Sequence, residues 1–407
     1  MSKNFLKILI LCTKVPYPPK DGGAKATLEL ALSLSSRGHQ VTMLCMNTRK
    51  HRVKFTSIPR EVKKKLHWVL VDVNTRIHYI QLIFNYLFSS TPYSVERFYL
   101  RKFIKKLRQV LDSQTFDIVQ IEGLYGLAYV PYIRKWSKAK IAYRAHNVEH
   151  VIWKRVSEQE KNVLKRKYLE VFSKRLERYE KKIMNTYDLL VPISEQDAYL
   201  FNELNNTKPQ VVIPYGMEVT DLDNEPNSSK DFYFLGALDW IPNVLGLRWF
   251  LDKCWPRFVE EFPMATCWIA GRNPSIELWR TMRGKGIHFL GEIEDAKKFS
   301  REHAIMIVPL FAGSGMRVKI IEAMAIGKPV IATTIAAEGL PVKHRKHILL
   351  ADNADDFLKA MKELYTSPTL FEELRKNAHA LVKAHFSIDG LSKVLEESYY
   401  QILQYDA

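Results

Sequence analysis

The sequence predicts an α/β protein built from two Rossmann-like, doubly wound domains. Short apolar runs alternate with helical patterns, and this alternation restarts after a polar stretch at residues 221–230. Strands that are apolar on both faces and separated by helices are typical of parallel sheets covered by helices. A length of 407 residues is also too great for one ordinary core. We therefore expect a central cleft facing the carboxyl ends of both sheets, where such folds bind ligands.

The first predicted domain covers residues 1–215. It begins with a strand at Lys7–Thr13, followed by a helix at Ala24–Arg37 that Gly38 ends. The second domain covers residues 216–385, and residues 386–407 are expected to form a helix that packs back on the first domain. The further predicted strands are Val41–Met46, Leu66–Val73, Phe116–Ile121, Ile141–Arg144, Leu189–Ile193, Val211–Pro214, Asp231–Leu235, Ala265–Ala270, Ile287–Leu290, Ala304–Val308, Pro329–Thr333 and Ile348–Leu350.

The net charge of +17 is concentrated in the first domain. Up to Tyr215 there are 38 basic against 18 acidic residues, whereas from Gly216 onward there are 23 against 26. One-sided charge of this kind favours a polyanionic partner, either an acidic membrane or a nucleic acid. The alternative is a chain that is simply basic. No apolar run approaches the length of a membrane span.

Cysteines and carboxylates give no sign of a metal site. The four cysteines have no CxxC or metal-ligand spacing, which predicts buried free thiols in a reducing compartment. The sequence also lacks a DxD pair. We expect no metal and no other cofactor, because basic side chains and a helix terminus can take the place of a cation at a diphosphate.

The segment Val308–Thr333 is the most informative in the chain. A strand leads into the small-residue loop Ala312–Gly315, and a helix follows that ends near Gly327. Such a loop lets the backbone approach an anion, and the helix terminus favours negative charge. Arg317 and Lys319 add positive charge there, and Glu322 is placed to accept hydrogen bonds from ribose hydroxyls. By itself, the loop is equally compatible with an ordinary strand-to-helix turn.

This segment resembles the family-4 retaining glycosyltransferases, which have the GT-B fold of two Rossmann-like domains. Their signature has two glutamates eight positions apart, the second followed by Ala-Met-Ala and Gly-x-Pro-Val. The present chain keeps the second glutamate as Glu322 and has Ser314 in place of the first. The sequence is similar to a branch with a small-residue loop followed by Arg-x-Lys. The resemblance implies donor contacts through Ser314, Gly315, Met316, Arg317, Lys319 and Glu322.

The resemblance extends over most of the chain. Pro18–Gly23 is similar to the family's N-terminal glycine loop, which implies that Gly22 and Gly23 contact the donor phosphates. Ile213–Met217 matches the interdomain segment, and Phe234–Leu238 matches the first strand of the nucleotide domain. The basic residue that usually follows that strand is missing, so Arg317 and Lys319 are expected to supply the charge. Arg272 is expected either to approach the phosphates or to remain solvated.

His146 follows the predicted strand Ile141–Arg144, at the edge where such folds bind ligands. The resemblance implies that His146 contacts the donor sugar near the transfer site. Arg144 and Asn147 are expected as secondary contacts, and Glu149 as a cap of the next helix. Retaining transfer in this family is thought to depend on stabilising the departing diphosphate, so Arg317, Lys319 and Glu322 join His146 as catalytic candidates.

Two aromatic segments add a membrane hypothesis. Ile77–Phe88 is apolar, and Arg97–Arg108 interleaves bases with Phe98, Ile104 and Leu107 at helical spacing, as interfacial helices do. An ordinary amphipathic helix on the sheet is the alternative. We expect a cytoplasmic protein, peripheral on the inner face of the membrane.

The leading hypothesis is transfer of a sugar from a nucleotide-diphosphate donor to a lipid-linked or growing glycan acceptor in cell-surface polysaccharide synthesis. The nearest alternative is a non-hydrolysing sugar-nucleotide epimerase of similar fold. An RNA-binding protein is the alternative from another class, although no recognisable RNA module accompanies the charge, and we expect no nucleic acid partner. A dehydrogenase is disfavoured because neither first strand leads into GxGxxG.

Overall fold

The structure is a computed structural model that describes residues 5–19, 21–160, 162–222, 230–312 and 316–404, apart from the side chains of Lys50 and Gln159. The chain divides into two compact units. Unit 1 comprises residues 1–217 and 388–407, and unit 2 comprises residues 218–387. Each unit contains one six-stranded parallel sheet with helices against it, which confirms the predicted fold class of two Rossmann-like domains.

Unit 1 is built on a sheet of strand order β3-β2-β1-β4-β5-β6. Its strands are β1 Lys7–Cys12, β2 Gln40–Thr48, β3 His67–Val73, β4 Ile118–Glu122, β5 Lys140–Ala145 and β6 Leu189–Pro192. The helices are α1 Gly22–Ser36, α2 Arg60–Lys65, α3 Tyr79–Phe88, α4 Tyr93–Glu96, α5 Arg101–Ser113, α6 Val130–Trp136, α7 Glu149–Gln159, α8 Val163–Ile183 and α9 Glu195–Glu203. Short 3-10 helices lie at Arg49–His51, Phe55–Ser57 and Leu124–Tyr129.

Unit 2 repeats the plan with strand order β12-β11-β10-β7-β8-β9. Its strands are β7 Phe232–Leu235, β8 Cys267–Ala270, β9 Ile287–Gly291, β10 Ile305–Val308, β11 Val330–Ala332 and β12 Leu349–Leu350. The helices are α10 Ile241–Trp249, α11 Trp255–Glu261, α12 Ile276–Thr281, α13 Ala296–Glu302, α14 Val318–Ala325, α15 Ala354–Thr366 and α16 Pro368–His385, with a π-helix at Phe250–Cys254. In both sheets the chain first adds strands on one side of the first strand (β1 or β7) and then returns to add strands on its other side. This reversal creates a topological switch point beside the first strand.

The C-terminal helix α17, Ile388–Gln404, belongs to unit 1. Four buried side chains of α17 join the hydrophobic core formed with β1 and α1: Ile388, Leu395, Tyr399 and Ile402. Arg37, just after α1, places its Nε 2.6 Å from a carboxylate oxygen of Glu396. The helix therefore completes the core of the unit that begins the chain.

Local sequence explains where α1 begins and ends. The Asp21 side chain accepts a hydrogen bond of 2.9 Å from the Ala24 backbone N–H, which caps the first turn. Gly38 has φ of +97°, a conformation that glycine adopts without a Cβ penalty, and it follows the last turn as predicted.

One detail differs from the sequence prediction, and the structure bears on one choice that the sequence left open. Residues 211–214 form no strand; the segment runs beside β6 through backbone hydrogen bonds from Val211 to Leu190 and from Ile213 to Pro192. Prolines at 209 and 214 lack the N–H groups that a longer ladder needs. For Arg97–Arg108 the structure favours the second of the two interpretations, an ordinary amphipathic helix, because α5 buries Phe103 and Leu107 completely against the sheet.

Two further observations bear on the setting of the protein. All four cysteines are free and buried. Within the described residues, no helix combines the length and the apolar character needed to cross a membrane.

Candidate functional site

The carboxyl edge of the unit 2 sheet is assembled by very close backbone packing. A Cβ on Gly246 of α10 would lie 1.8 Å from the carbonyl oxygen of Pro309, directly after β10. A Cβ on Gly271, after β8, would lie 2.0 Å from the carbonyl oxygen of Gly236, after β7. Since real Cβ atoms are not found at such distances, both positions require glycine. The ends of the three central strands are thus held together beside the switch point.

Lys319, in the first turn of α14, connects that helix to the end of β7. Its Nζ donates to the backbone oxygen of Leu235 and to the Asn243 side-chain oxygen, each at 3.3 Å. The same Nζ lies 4.8 Å from the centre of the Phe234 ring. Burial, followed by the neighbouring charge of Arg317, lowers the pKa of Lys319 to about 7. A lysine in this state gains its proton readily when an anion binds next to it.

Three of the predicted donor residues belong to α14 and its N-cap. Arg317 is the N-cap of α14 and is buried, with its guanidinium 6.0 Å from the centre of the Trp240 ring. Glu322 lies three residues after Lys319 and therefore on the same side of the helix. Its charge contributes, after burial and Asp231, to raising the pKa of Tyr233 on β7. Arg317, Lys319 and Glu322 are thus gathered at the switch point of this sheet.

The other predicted donor residues of unit 2 are placed less centrally. Met316 is half-buried just before α14. Arg272 follows β8, its backbone oxygen accepts from Leu238, and its Nε lies 3.6 Å from a carboxylate oxygen of Asp239. Ser314 and Gly315 lie outside the described residues.

The equivalent edge of unit 1 contains a buried carboxylate that the sequence reasoning missed. Glu122 ends β4 and is 5% exposed. One of its oxygens lies 2.6 Å from His146 Nε2 and accepts a hydrogen bond of 2.9 Å from Thr27. The other oxygen accepts from Gln120 at 2.5 Å. The only signal in the sequence is a charged residue at the end of a mostly apolar strand, IVQIE.

The electrostatic setting keeps Glu122 ionised. Burial alone would raise the pKa of Glu122, but Arg144, His146 and Thr27 together outweigh it and hold the pKa at about 2. The Arg144 guanidinium is 3.5 Å from the carboxylate and is itself buried, so it serves Glu122 and not the secondary ligand contact predicted for it. An ionised Glu122 can only accept, so His146 Nε2 donates its N–H to the carboxylate and Nδ1 is the ring nitrogen left for another partner.

The glycine loop lies against this histidine. A Cβ on Gly23 would be 3.7 Å from His146 Nδ1, and one on Gly123 would be 3.9 Å from the ring carbon Cδ2. Gly22 begins α1 immediately before. The structure therefore places Gly23, and Gly22 next to it in the chain, beside His146; contact of these residues with a ligand stays a prediction.

A second buried carboxylate of unit 1, Glu180, stabilises the start of α7. Glu180 accepts backbone hydrogen bonds from Glu149 at 2.9 Å and His150 at 3.1 Å. The predicted cap is therefore wrong: Glu180 caps this helix, whereas Glu149 accepts from the Tyr125 hydroxyl at 3.3 Å. Burial, and then the charge of Glu180, raises the pKa of Glu149 to about 7.

Two doubly wound units, each with polar groups at its switch point, define a class of two-domain α/β protein that binds ligands at sheet edges. Family comparisons refine this class. A model of glycosyltransferase family 4 matches residues 20–221, and a model of glycosyl transferases group 1 matches residues 229–367. Together these matches support a glycosyltransferase with the GT-B fold.

Relatives agree with this family. An uncharacterized 44.6 kDa protein in the cps region of Klebsiella pneumoniae is 26% identical over 394 residues, which cover 93% of this chain and 96% of that protein. Phosphatidyl-myo-inositol mannosyltransferase of Mycobacterium tuberculosis is 31% identical over 138 residues, which cover 31% of this chain and 35% of that enzyme.

Solved structures show the same fold over the full length. Sucrose-phosphate synthase from Thermosynechococcus elongatus superposes with a TM-score of 0.73 at 17% identity, covering 98% of this chain and 100% of that one. HepE of Anabaena, in complex with UDP, gives a TM-score of 0.68 at 13% identity, covering 97% and 100%. At such low identity the likeness concerns the fold alone.

Proposed function

We propose that this protein transfers a sugar, with retention of configuration, from a nucleotide-diphosphate donor to a lipid-linked or growing glycan acceptor in cell-surface polysaccharide synthesis. The observation that supports this most directly is that Arg317 and Lys319 lie at the start of α14, beside the unit 2 switch point, with Glu322 one turn further along the helix. A similar fold in complex with UDP and a relative from a cps region fit the same proposal.

In this proposal the donor diphosphate binds at the α14 terminus. Arg317 and protonated Lys319 stabilise the negative charge that develops as the diphosphate departs, which is the largest single contribution available to such a reaction. Glu322 accepts hydrogen bonds from the ribose hydroxyls. With two cations and a helix terminus supplying positive charge, we propose a reaction that needs no metal.

Donor binding tests the unit 2 part of the proposal. A thermal-shift screen of nucleotide sugars identifies the donor, since a ligand at 100 times its Kd adds about 2.7 kcal/mol of stability. Calorimetry then compares Arg317→Ala and Glu322→Ala with Arg280→Ala, an exposed arginine on α12. Loss of one charge-assisted bond is expected to cost about 1.5–3 kcal/mol in the first two variants. Unchanged affinity in both would exclude this loop as the donor site.

His146 is proposed to act in the transfer step through Nδ1, which accepts a hydrogen bond from a sugar hydroxyl. The basis is the hydrogen bond that His146 Nε2 donates to the Glu122 carboxylate at 2.6 Å, which leaves Nδ1 near the glycine loop. His146→Ala is expected to fold and lose most turnover, with a smaller loss of stability than Glu122→Gln, because it removes only one of the partners of the Glu122 carboxylate. Normal turnover, or failure to fold, would return His146 to a structural role.

The cellular setting proposed is the cytoplasmic face of a membrane, and α3 is the element that fits it. Six apolar side chains of α3 are each 59–79% exposed, and they lie on one face: Tyr79, Ile80, Ile83, Phe84, Leu87 and Phe88. The helix is held by Arg175, which donates to the backbone oxygens of Asn85 and Tyr86. An apolar helix face in a strongly basic unit is typical of insertion at an anionic lipid surface.

Vesicle co-sedimentation tests this location. Replacing Ile80, Phe84 and Leu87 by serine is expected to weaken binding to acidic vesicles at least tenfold, because each apolar side chain contributes about 1.5–3 kcal/mol at full burial. Serine at Met264, Ile276 and Val394, which are also exposed, is the matched control. Equal binding by both triple variants would refute the role of α3.

A further inference from the structure

A second concave site lies on unit 1, at the carboxyl ends of β2 and β3 and away from Glu122 and His146. The cavity has a volume of about 680 Å³ and lies between the segment 52–56 and helix α5. Five cationic side chains and one carboxylate line it: Arg52, Lys54, Lys102, Lys105, Lys106 and Asp72. Three of the six bases in Arg97–Arg108, which the membrane hypothesis placed at a lipid surface, therefore line a pocket.

The wall of the pocket is fixed by a buried asparagine. Asn47, at the end of β2, donates to the Val53 backbone oxygen at 2.9 Å and to Asp72 at 2.7 Å, and it accepts from the Val53 N–H at 2.9 Å. These bonds hold the segment that carries Arg52 and Lys54 against the ends of both strands. The pocket is thus held in shape by buried hydrogen bonds before any ligand arrives.

The charge in the pocket is largely uncompensated. Asp72 is already engaged by Asn47 and, at 3.3 Å, by Arg52. Across the described ranges, no carboxylate lies within ion-pair distance of Lys54, Lys105 or Lys106. A single carboxylate ligand would neutralise only one of them. A diphosphate carries two or more charges in a compact group, and lysine is suited to phosphate as a point charge.

We propose that this pocket binds the diphosphate of a lipid-linked acceptor. The inference rests on the proposed function, because it names the acceptor chemistry of the same transferase. The pocket shares the carboxyl edge of the sheet with Glu122, and at a strand spacing of about 4.8 Å the ends of β2 and β3 are roughly 10–15 Å from β4. An acceptor anchored by its diphosphate in the pocket can therefore extend its sugar along the edge toward His146.

The position of α3 also fits this proposal, because its apolar face could contact the lipid chain attached to that diphosphate. Helix α3 begins seven residues after Asp72, so the two are at most roughly 25 Å apart along the chain. Phe55, at the rim of the pocket, is itself 52% exposed. A prenyl chain leaving the pocket thus has apolar surface within reach.

Calorimetry with soluble probes tests the proposal on the full chain. Geranyl diphosphate is the lipid diphosphate probe, and inorganic pyrophosphate, UDP and oligogalacturonate are the comparison ligands. The variant replaces Lys102, Lys105 and Lys106 by glutamine. The matched control removes three exposed lysines elsewhere on unit 1, at positions 135, 174 and 182. We expect geranyl diphosphate affinity to fall at least tenfold in the variant and to remain unchanged in the control.

The comparison ligands separate the possible failures. UDP is expected to bind the variant and the parent equally, which keeps the test of the pocket distinct from that of the donor site. Equal geranyl diphosphate affinity in the variant and control would overturn the proposal, as would competition between UDP and geranyl diphosphate for one site. Tighter binding of oligogalacturonate than of geranyl diphosphate would also overturn it, in favour of a carboxylate-bearing glycan.

Discussion

Substitution of Glu122 by glutamine tests the electrostatic core of unit 1. The change keeps the size of the side chain and an oxygen that can accept from His146 Nε2, but it removes the charge. Arg144 then remains buried, 3.5 Å from a neutral amide instead of a carboxylate. We expect the variant to lose stability chiefly through this unpaired cation.

The pKa of Glu122 gives the size of the effect. A carboxyl whose pKa falls from 4.5 to about 2 on folding stabilises the protein by about 3 kcal/mol at neutral pH. This agrees with the roughly 3–5 kcal/mol usually lost when one partner of a buried ion pair is removed. Because the folded-state pKa is lowered, the contribution is fully present above pH 4.5 and is lost as the pH falls toward 2. At pH 3.5 we expect about 2 kcal/mol.

Urea titration read by hydrogen exchange in β4 and β5 measures the free energy of unfolding of unit 1 separately from unit 2. Glu61→Gln is the control, since Glu61 is exposed on α2 with only an exposed lysine beside it. Equal stability of Glu122→Gln and Glu61→Gln at pH 7 would refute the reasoning. So would a stability loss in Glu122→Gln that is the same at pH 7 and pH 3.5.

Two further predictions concern unit 2. UDP affinity is expected to fall as the pH rises above 7, because Lys319, with its lowered pKa, then loses the proton that attracts the diphosphate. Calorimetry in buffers of different ionisation enthalpy measures the proton uptake on UDP binding. Lys319→Arg should abolish the pH dependence of UDP affinity. Gly246→Ala is expected to destabilise unit 2 by at least about 3 kcal/mol, because its Cβ would lie 1.8 Å from the Pro309 oxygen. Gly390→Ala has no atom within 4 Å of the new Cβ, so it should leave the melting temperature unchanged or raise it.

The predicted elements succeeded where a pattern is local. The buried strand KILILC and the end of α1 at Gly38 follow from side-chain periodicity and from the backbone freedom of glycine. The strand predicted at residues 211–214 does not form, and an apolar run in the sequence does not reveal whether a neighbouring strand offers a full ladder of hydrogen bonds. The sequence left two interpretations of α5 open, because periodicity identifies an apolar face without indicating what covers it.

The residues of the candidate site likewise divide into those that the sequence predicted and those that only the structure revealed. Arg317, Lys319 and Glu322 were found from sequence because their spacing on one helix is local information. Glu122 and Asn243 were missed, since they reach His146 and Lys319 only when strands and helices far apart in the chain are brought together. The basic pocket was missed for the same reason, because its lining comes from β2, β3 and α5.

The sequence by itself determined the alternation of strands and helices, the two-domain α/β class and the concentration of positive charge in the first half of the chain. These properties depend on residue type and on spacing within a few turns. The tertiary structure alone decided which charges are buried and paired, as for Glu122 with Arg144, and which apolar faces remain uncovered, as for α3. Burial and pairing are set by contacts between distant segments, and the free energy of a charge depends on those contacts more than on its neighbours in sequence.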